Sequence, residues 1–213
     1  MKLVVSRQAL VVRNFPASNV QRLTAIVEGI FMTKKEINIF DYAGEIFKAL
    51  PKGILLTTEA EDCINAMTIG WGNIGIEWGV PTFTAYIRKS RFTYELIERT
   101  GEFTICAPYG EKYSEQVKKI IGICGSQSGR DLDKLAKVGA HIVDADEIRP
   151  PAIKELPLTI ECRVVLSVEQ PAKYMPLKFK KFYPELPSVD GEKIFDSHVA
   201  YFGEILKSYI IEE

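Results

Sequence analysis

The chain has 213 residues, of which 46% are hydrophobic and 26% are charged, and its formal net charge is -1. A length near 200 residues with this ordinary composition predicts one folded domain with one sizeable core. A nearly neutral chain lacks the basic surface that nucleic acid or an anionic membrane would bind, and no apolar run approaches the roughly 20 residues needed to span a bilayer. We therefore expect neither nucleic acid nor membrane as a partner.

The cysteines and histidines are too sparse to form a recognisable metal site. Cys63, Cys106, Cys124 and Cys162 never form a C-x-x-C pair, and the chain has two histidines. Cys106 and Cys162 fall at strand positions that suit small buried apolar residues, and no secretory signal is readable, so we predict reduced thiols in the cytoplasm. Cys124 has no resolving cysteine near it, and we interpret it as a packed small residue rather than a redox thiol.

Residues 1–31 differ in charge from the rest of the chain. This segment carries four basic residues against the single acid Glu28. We separate it as an N-terminal extension of uncertain status from a domain spanning residues 32–213. It is either an appended or wrongly started segment or an arm that packs on the body, with a targeting peptide as a third alternative.

From residue 38 onward the pattern predicts strands with a few short helices. One helix is expected over residues 42–50, with Ile46, Phe47 and Leu50 on its apolar side, and a second over 90–99, ended by Gly101. Strands are predicted over residues 54–58, 66–70, 82–87, 103–107 and 158–168, with one or two more within 198–211. Such a pattern favours a mainly β barrel with short appended helices.

The longest clean alternation of apolar and polar residues covers the strand predicted over residues 158–168. This alternation predicts that every second side chain is buried, namely Leu158, Ile160, Cys162, Val164, Leu166 and Val168. The residues predicted to face outward are Thr159, Glu161, Arg163 and Ser167.

The segment Arg88-Lys89-Ser90-Arg91-Phe92-Thr93 lies where a strand passes into a helix. Ser90 is placed to cap the helix, and Arg88 and Arg91 can offer charge-assisted hydrogen bonds to a phosphate at its N-terminus. The alternative is a capped helix with two solvated arginines.

The segment from Cys124 to Lys134 reads as a loop followed by a helix start. Ser128 is the predicted cap, and Gly125 and Gly129 allow the backbone to approach a ligand closely. Lys134 would then reach a phosphate, or only solvent. The alternative is an ordinary loop and cap.

The segment Asn65-Ala66-Met67-Thr68-Ile69-Gly70-Trp71 offers an amide, a hydroxyl and exposed backbone at the end of a strand. These groups suit hydrogen bonding to the edge of a heteroaromatic ring. The alternative is a core strand that ends in a turn, with Trp71 packed as an aromatic plug.

Taken in order, these segments resemble the flavin reductase-like family, particularly its flavoredoxin branch. The resemblance runs over roughly residues 38–211 and includes Pro157-Leu158-Thr159-Ile160-Glu161-Cys162 and Tyr201-Phe202-Gly203-Glu204-Ile205. It implies an FMN-binding split β-barrel, usually a homodimer.

The resemblance also implies a set of cofactor-binding residues. Those bordering the isoalloxazine ring would be Asn65, Ala66, Met67 and Thr68; those holding the FMN phosphate would be Arg88, Ser90, Arg91 and Thr93; those closing the pocket would be Ser126, Ser128 and Lys134. His198 matches a family histidine near the flavin, but Ser197 replaces the usual aspartate and Asp196 lies one residue earlier, which weakens a catalytic role for His198.

The function implied is electron transfer from NADH or NADPH to flavin and on to a small molecule or a protein acceptor. A flavoredoxin-type FMN electron carrier that does not itself oxidise nicotinamide is the alternative, with a redox protein as its partner. Residues 170–197, which mix lysines, aromatic residues and prolines, are expected to form a loop over the flavin or across a dimer interface.

Overall fold

The structure, a computed structural model, describes residues 33–61, 63–110, 113–187 and 194–212. The predicted extension over residues 1–31 lies outside these ranges, so the division of the chain at residue 32 stays a prediction. Among the residues described, no helix is long and apolar enough to cross a membrane.

Strands dominate the described part of the chain, and the helices are short. The strands are β1 (Thr33–Glu36), β2 (Ile54–Ala60), β3 (Cys63–Ile69), β4 (Gly72–Glu77), β5 (Val80–Arg88), β6 (Glu102–Ala107), β7 (Ile142–Val143), β8 (Ala152–Ile153), β9 (Leu158–Gln170), β10 (Glu185–Leu186), β11 (Ile194–Phe195) and β12 (His198–Glu212). The α-helices are α1 (Ile39–Ala49), α2 (Phe92–Thr100), α3 (Glu115–Ser126), α4 (Lys134–Val138) and α5 (Leu177–Lys180).

The principal sheet is antiparallel and is organised around its longest strand. Its order is β3-β2-β6-β9-β12-β5-β4, with β1 also paired to β12. One edge of β12 pairs with β9, while the other edge pairs first with β5 and then with β1. The β12–β9 register shifts twice, and such bulges bend a strand and increase its twist. This sheet is the predicted split β-barrel, mainly β with short helices.

Two clusters of buried side chains lie on opposite faces of the sheet. Because neighbouring residues of a strand point to opposite faces, Leu56 and Ile105 join one cluster while Leu55 and Cys106 join the other. The first cluster is the barrel interior, and the second lies under α3 and α4. Burial of Cys106, and of Cys162 in the first cluster, confirms the prediction for both cysteines.

The first predicted helix is confirmed, but its bounds differ, and one residue that was predicted to be buried is exposed. Asn38 caps α1 by accepting a hydrogen bond from the amide of Phe40, so the helix begins three residues earlier than predicted. Ile46 and Leu50 are buried as expected, but Phe47 is 46% exposed.

The side chains of β9 that were predicted to be buried are buried only as far as Cys162, and the prediction that Thr159 and Glu161 face outward is wrong, because both are fully buried. Beyond Cys162, Val164 is half-buried, and Leu166 and Val168 are 42% and 45% exposed. The prediction for the last two residues is therefore wrong for the single chain. Alternation identifies a face of a strand, but another surface must cover that face to bury it.

Candidate functional site

A groove follows the edge strand β3 of the principal sheet. On one side β3 pairs with β2, and no strand of the described chain pairs with its other side. An edge strand presents unpaired backbone N–H and C=O groups. The N-terminal end of α2 and the loop from Gln127 to Asp133 lie across from it, so these backbone groups face a cavity.

The first cavity of the groove has a volume of about 210 Å³. Nine of the predicted site residues line it: Asn65, Met67, Thr68, Ser90, Arg91, Thr93, Ser126, Ser128 and Lys134. The three chain segments that the sequence identified therefore meet at one place.

A second cavity, of about 160 Å³, continues the groove. It shares Met67, Thr68 and Arg91 with the first cavity and adds Arg88 and His198. Ala66 is the one predicted residue that lines neither cavity. Its side chain is fully buried in the cluster beneath α3, so only its backbone is available to the groove.

The first cavity is electropositive. Arg91, Arg130 and Lys134 line it, and none of its described lining residues is a carboxylate. Arg130 pairs with Glu95, but Lys134, only 5% exposed, has no ion-pair partner in the described ranges. Burial lowers the pKa of Lys134, and Arg91 acts in the same direction. A buried cation without a counter-ion is costly, so this cavity is suited to an anion.

Three buried polar atoms beside the groove have no hydrogen-bond partner within the described structure: Asn65 Oδ1, Arg88 Nε and His198 Nδ1. Each such atom costs about 1–3 kcal/mol when it is left unsatisfied. Asn65 is held in place because its Nδ2 donates to Thr93 Oγ1 at 2.8 Å. The groove therefore offers an acceptor and two ring or guanidinium nitrogens to a polar ligand.

The hydroxyl of Thr68 is already committed to the protein. Thr68 Oγ1 donates to the carbonyl oxygen of Ile121 at 2.6 Å, which ties β3 to α3. Ser126 Oγ likewise donates to the carbonyl oxygen of Gly122 at 2.8 Å. In both cases the oxygen lone pairs stay available to a ligand donor.

The loop from Gln127 to Asp133 departs from the predicted helix start. Ser128 does not cap a helix: its Oγ accepts from the amide of Arg130 at 3.2 Å within a turn. The helix cap is Asp133, whose Oδ1 accepts from the amide of Ala136 at 2.9 Å, and α4 begins at Lys134. The prediction of Ser128 as cap is wrong because a second good capping residue follows and lies next to the apolar face.

Gly129 allows this loop to lie against β3. A Cβ atom at this position would stand 2.2 Å from Asn65 Oδ1 and 3.0 Å from Phe92 Cδ1. The expected close approach of the backbone at Gly129 is therefore present, and the groove wall depends on it.

Ser90 does not cap α2 either, which corrects that prediction. The N-cap is Arg91, without a side-chain hydrogen bond, although Gly101 ends the helix in the left-handed conformation as predicted. Ser90 instead donates its hydroxyl to Asp196 Oδ2 at 2.7 Å and its amide to Asp196 Oδ1 at 3.2 Å. Asp196, which lies one residue before Ser197, thus accepts hydrogen bonds from both donors of Ser90.

His198 lies between aromatic rings at the second cavity. Its ring centroid is 4.9 Å from that of Trp71 and 5.2 Å from that of Tyr183. Burial lowers the pKa of His198 to about 4, with Arg88 and Arg91 adding to the effect against Asp196. The imidazole is therefore neutral at neutral pH.

The sequence predictions assigned no Trp, Tyr or Phe to the site, although Trp71 ends one of the predicted segments. Trp71 and Tyr86 line the second cavity, and Phe182 packs edge-on to Trp71 at a centroid distance of 5.4 Å. Arg88 holds this part of the 170–197 segment by donating to the carbonyl oxygen of Phe182 at 2.8 Å. Strand periodicity was the available signal for Tyr86, which lies two residues before Arg88 on the same face of β5.

Cys124 is buried at the wall of the first cavity, as the sequence predicted. It is 2% exposed, and burial raises the pKa of its thiol to about 11. A thiol in this state is a packing residue and not a nucleophile at neutral pH. In the described ranges no group of three metal-ligating side chains occurs.

Comparison with known proteins agrees with this architecture. The family model described as flavin reductase like domain matches residues 47–210. A flavoredoxin from Methanosarcina acetivorans is 27% identical, with a TM-score of 0.54, over 76% of this chain and 68% of that one. The flavoredoxin of Desulfovibrio vulgaris is 23% identical, with a TM-score of 0.53, over 74% of this chain and 68% of that one.

A third structure shows the same fold at lower sequence identity. The FMN-binding domain of a flavin reductases-like enzyme from Shewanella baltica is 16% identical, with a TM-score of 0.54, over 84% of this chain and 76% of that one. Fold and groove together define a split β-barrel protein with an electropositive cleft. The chain belongs to the flavin reductase like domain family. The flavoredoxin from Methanosarcina acetivorans, at 27% identity, supports the predicted flavoredoxin branch.

Proposed function

We propose that this protein is an oxidoreductase that binds FMN in the groove along β3 and accepts electrons from NADH or NADPH. The observation that carries the proposal is the buried Lys134, which has no carboxylate partner among the described residues and lines a cavity beside the unsatisfied amide oxygen of Asn65. A phosphate-bearing ligand with a polar ring would satisfy both groups.

The residues present fit such a cofactor. We assign the ring edge to Asn65, Met67 and Thr68 with the backbone of Ala66, the phosphate to Arg88, Ser90, Arg91 and Thr93, and the closure of the pocket to Ser126, Ser128 and Lys134. The hydroxyl and the amide of Ser90 both donate to Asp196 in this structure. A bound phosphate would therefore share these two donors with that carboxylate. Arg91 and Lys134 supply positive charge, and the described residues of the cavity lining include no competing acid.

Bound FMN supplies the hydride and electron chemistry, and the protein contributes binding, orientation and exclusion of water. His198 is neutral at neutral pH, so it is not a proton donor of imidazolium type. Its unsatisfied Nδ1 makes it a hydrogen-bonding group at the site. We assign it a positioning role toward the ligand rather than a catalytic one.

The second candidate is an FMN electron carrier that exchanges electrons with a redox protein and does not oxidise nicotinamide itself. The similarity at 27% identity to the Methanosarcina acetivorans flavoredoxin favours this candidate. In both cases we place the protein in the cytoplasm and propose that it acts as a homodimer.

An anaerobic visible spectrum of FMN-reconstituted protein, recorded before and after mixing with NADH or NADPH, tests the proposal. Rapid bleaching of a bound-flavin band supports the reductase and identifies the donor. A band that persists with both nucleotides but bleaches with dithionite supports the electron carrier. Failure to retain FMN would contradict both.

A further inference from the structure

A third cavity, of about 470 Å³, extends the groove beyond His198. It shares Gly70, Trp71 and Tyr86 with the second cavity, and so opens beside the place assigned to the flavin. No part of the FMN assignment above uses its remaining lining residues, which are Leu50, Gly72, Asn73, Gln170 and Tyr183.

Among the described residues that line this third cavity there is no acid, lysine, arginine or histidine. The first cavity, by contrast, is lined by three cations. A phosphate or carboxylate in the third cavity would lose water and gain no counter-charge there. The lining therefore selects an uncharged ligand.

Aromatic faces and hydrogen-bonding side chains define the shape and polarity of that ligand. Trp71 is 42% exposed, and Tyr86 and Tyr183 lie on the same cavity. Rings of this kind pack against a flat ring by stacking or edge-on contact. Asn73 and Gln170 add amide groups, so a planar molecule with a polar substituent fits better than an aliphatic chain.

The hydroxyl of Tyr86 provides the directional contact. It accepts a hydrogen bond from Asn73 Nδ2 at 2.6 Å. Its own hydrogen meets no acceptor in the described structure, so it is available to donate. The acceptor that this hydrogen requires is an oxygen such as that of a carbonyl group.

We propose that the third cavity binds an uncharged aromatic carbonyl compound, whose ring packs on Trp71 and whose carbonyl oxygen accepts a hydrogen bond from Tyr86. Assigning this compound as the second substrate rests on the proposed function. The binding itself depends only on residues of this chain.

Tryptophan fluorescence can report this binding with or without flavin. The chain has two tryptophans, and Trp78 lies on the β4–β5 turn against Phe202, away from the cavity lining. In a Trp78→Phe background, Trp71 is the remaining tryptophan. Acetophenone is the probe, and benzoate, which is similar in shape but charged, is its control. Each titration is run on flavin-free and on FMN-loaded full-length protein.

We expect acetophenone to quench Trp71 emission saturably, and benzoate to bind at least tenfold more weakly. Adding Tyr86→Phe keeps the ring and removes the hydroxyl, and should weaken acetophenone about fivefold, the loss of one neutral hydrogen bond. Tyr174→Phe, at a tyrosine that is 75% exposed and outside the cavity lining, should leave the affinity unchanged.

Equal affinity for benzoate, no saturable quenching, or an unchanged affinity in Tyr86→Phe would each overturn the proposal. Its failure is distinguishable from failure of the flavin assignment. Acetophenone binding to flavin-free protein that cannot retain FMN would support the cavity and contradict the FMN site. Protein that retains FMN but does not bind acetophenone would support the FMN site and contradict the proposed ligand of the third cavity.

Discussion

Burial of His198 at the site makes the free energy of unfolding depend on pH. The pKa of His198 falls from 6.5 to about 4 in the folded protein, so the unfolded chain binds more protons between these values. Stability must therefore decrease as pH falls through this window. We expect the free energy of unfolding to drop by about 2 kcal/mol between pH 7 and pH 5 from this residue alone.

Denaturant unfolding at a series of pH values checks this expectation. His198→Gln, which has no titrating ring, should remove most of the loss between pH 6.5 and pH 4. His141→Gln, at a histidine with a side chain that is 46% exposed, should leave it in place. If His198→Gln lost as much stability as the parent protein over this pH range, the lowered pKa assigned to His198 would be contradicted.

Lys134 gives a second prediction at the residue scale, in which stability and binding change in opposite directions. Lys134→Met keeps a long side chain but removes a buried, unpaired charge. We expect flavin-free protein to become more stable by about 1 kcal/mol, because the desolvation cost disappears. FMN affinity should fall about tenfold or more with the loss of a charge-assisted contact.

Denaturant unfolding and FMN titration measure the two effects of Lys134→Met. Lys137→Met is the matched control, because Lys137 lies in the same helix and is exposed. It should change neither quantity appreciably. Unchanged FMN affinity in Lys134→Met would remove Lys134 from the cofactor site.

At the scale of elements, the site depends on how closely the 127–133 loop approaches β3. Gly129→Ala would force a Cβ against Asn65, which is hydrogen-bonded to Thr93, and against the ring of Phe92, over which Arg130 lies. We expect a stability loss of about 1–3 kcal/mol and weaker FMN binding. Thermal unfolding and FMN titration provide the two measurements.

Gly122→Ala is the control for this substitution. Gly122 lies within α3, and a Cβ there meets nothing within 4 Å. Alanine should therefore stabilise the helix by up to about 1 kcal/mol and leave FMN affinity unchanged. If Gly129→Ala and Gly122→Ala changed stability and FMN affinity equally, the site would not depend on the close approach of the 127–133 loop to β3.

At the scale of the whole molecule, exposed apolar side chains on the sheet support the proposed homodimer. Leu166 and Val168, which lie on the same face of β9, are 42% and 45% exposed. Leu166 is the cross-strand partner of Phe202, which contacts the exposed ring of Trp78. An apolar patch of this kind marks an interface, and we propose that a second copy of the chain covers it.

Light scattering after gel filtration should give twice the mass of the chain. Leu166→Glu places a charge in the patch and should shift the protein toward monomer. Leu177→Glu alters a leucine of α5 that is 84% exposed and lies outside the patch, and should stay dimeric. A monomeric parent protein would contradict the proposal.

The elements and the composition of the site were predictable, but several contacts were not. Strand periodicity located β5, β6 and the buried half of β9, and Gly101 ended α2 as expected. The prediction that Ser90 and Ser128 cap helices was wrong, because a serine hydroxyl near a helix start can hydrogen-bond to several different backbone or side-chain groups. Ser90 binds Asp196, 106 residues away, which no local pattern encodes.

The sequence by itself determined which faces of the strands are apolar, where turns interrupt them and which three segments carry polar and cationic groups. Those properties are local, because they follow from residue type and backbone periodicity. Only the tertiary structure brought Lys134, Asn65 and His198 to one groove and placed Trp71 and Tyr86 around a third cavity. Within the described part of the chain, it also left Lys134 without an acid and that cavity without a charged lining residue. Burial and electrostatic environment depend on which surfaces meet, and those surfaces come from parts of the chain that are far apart in sequence.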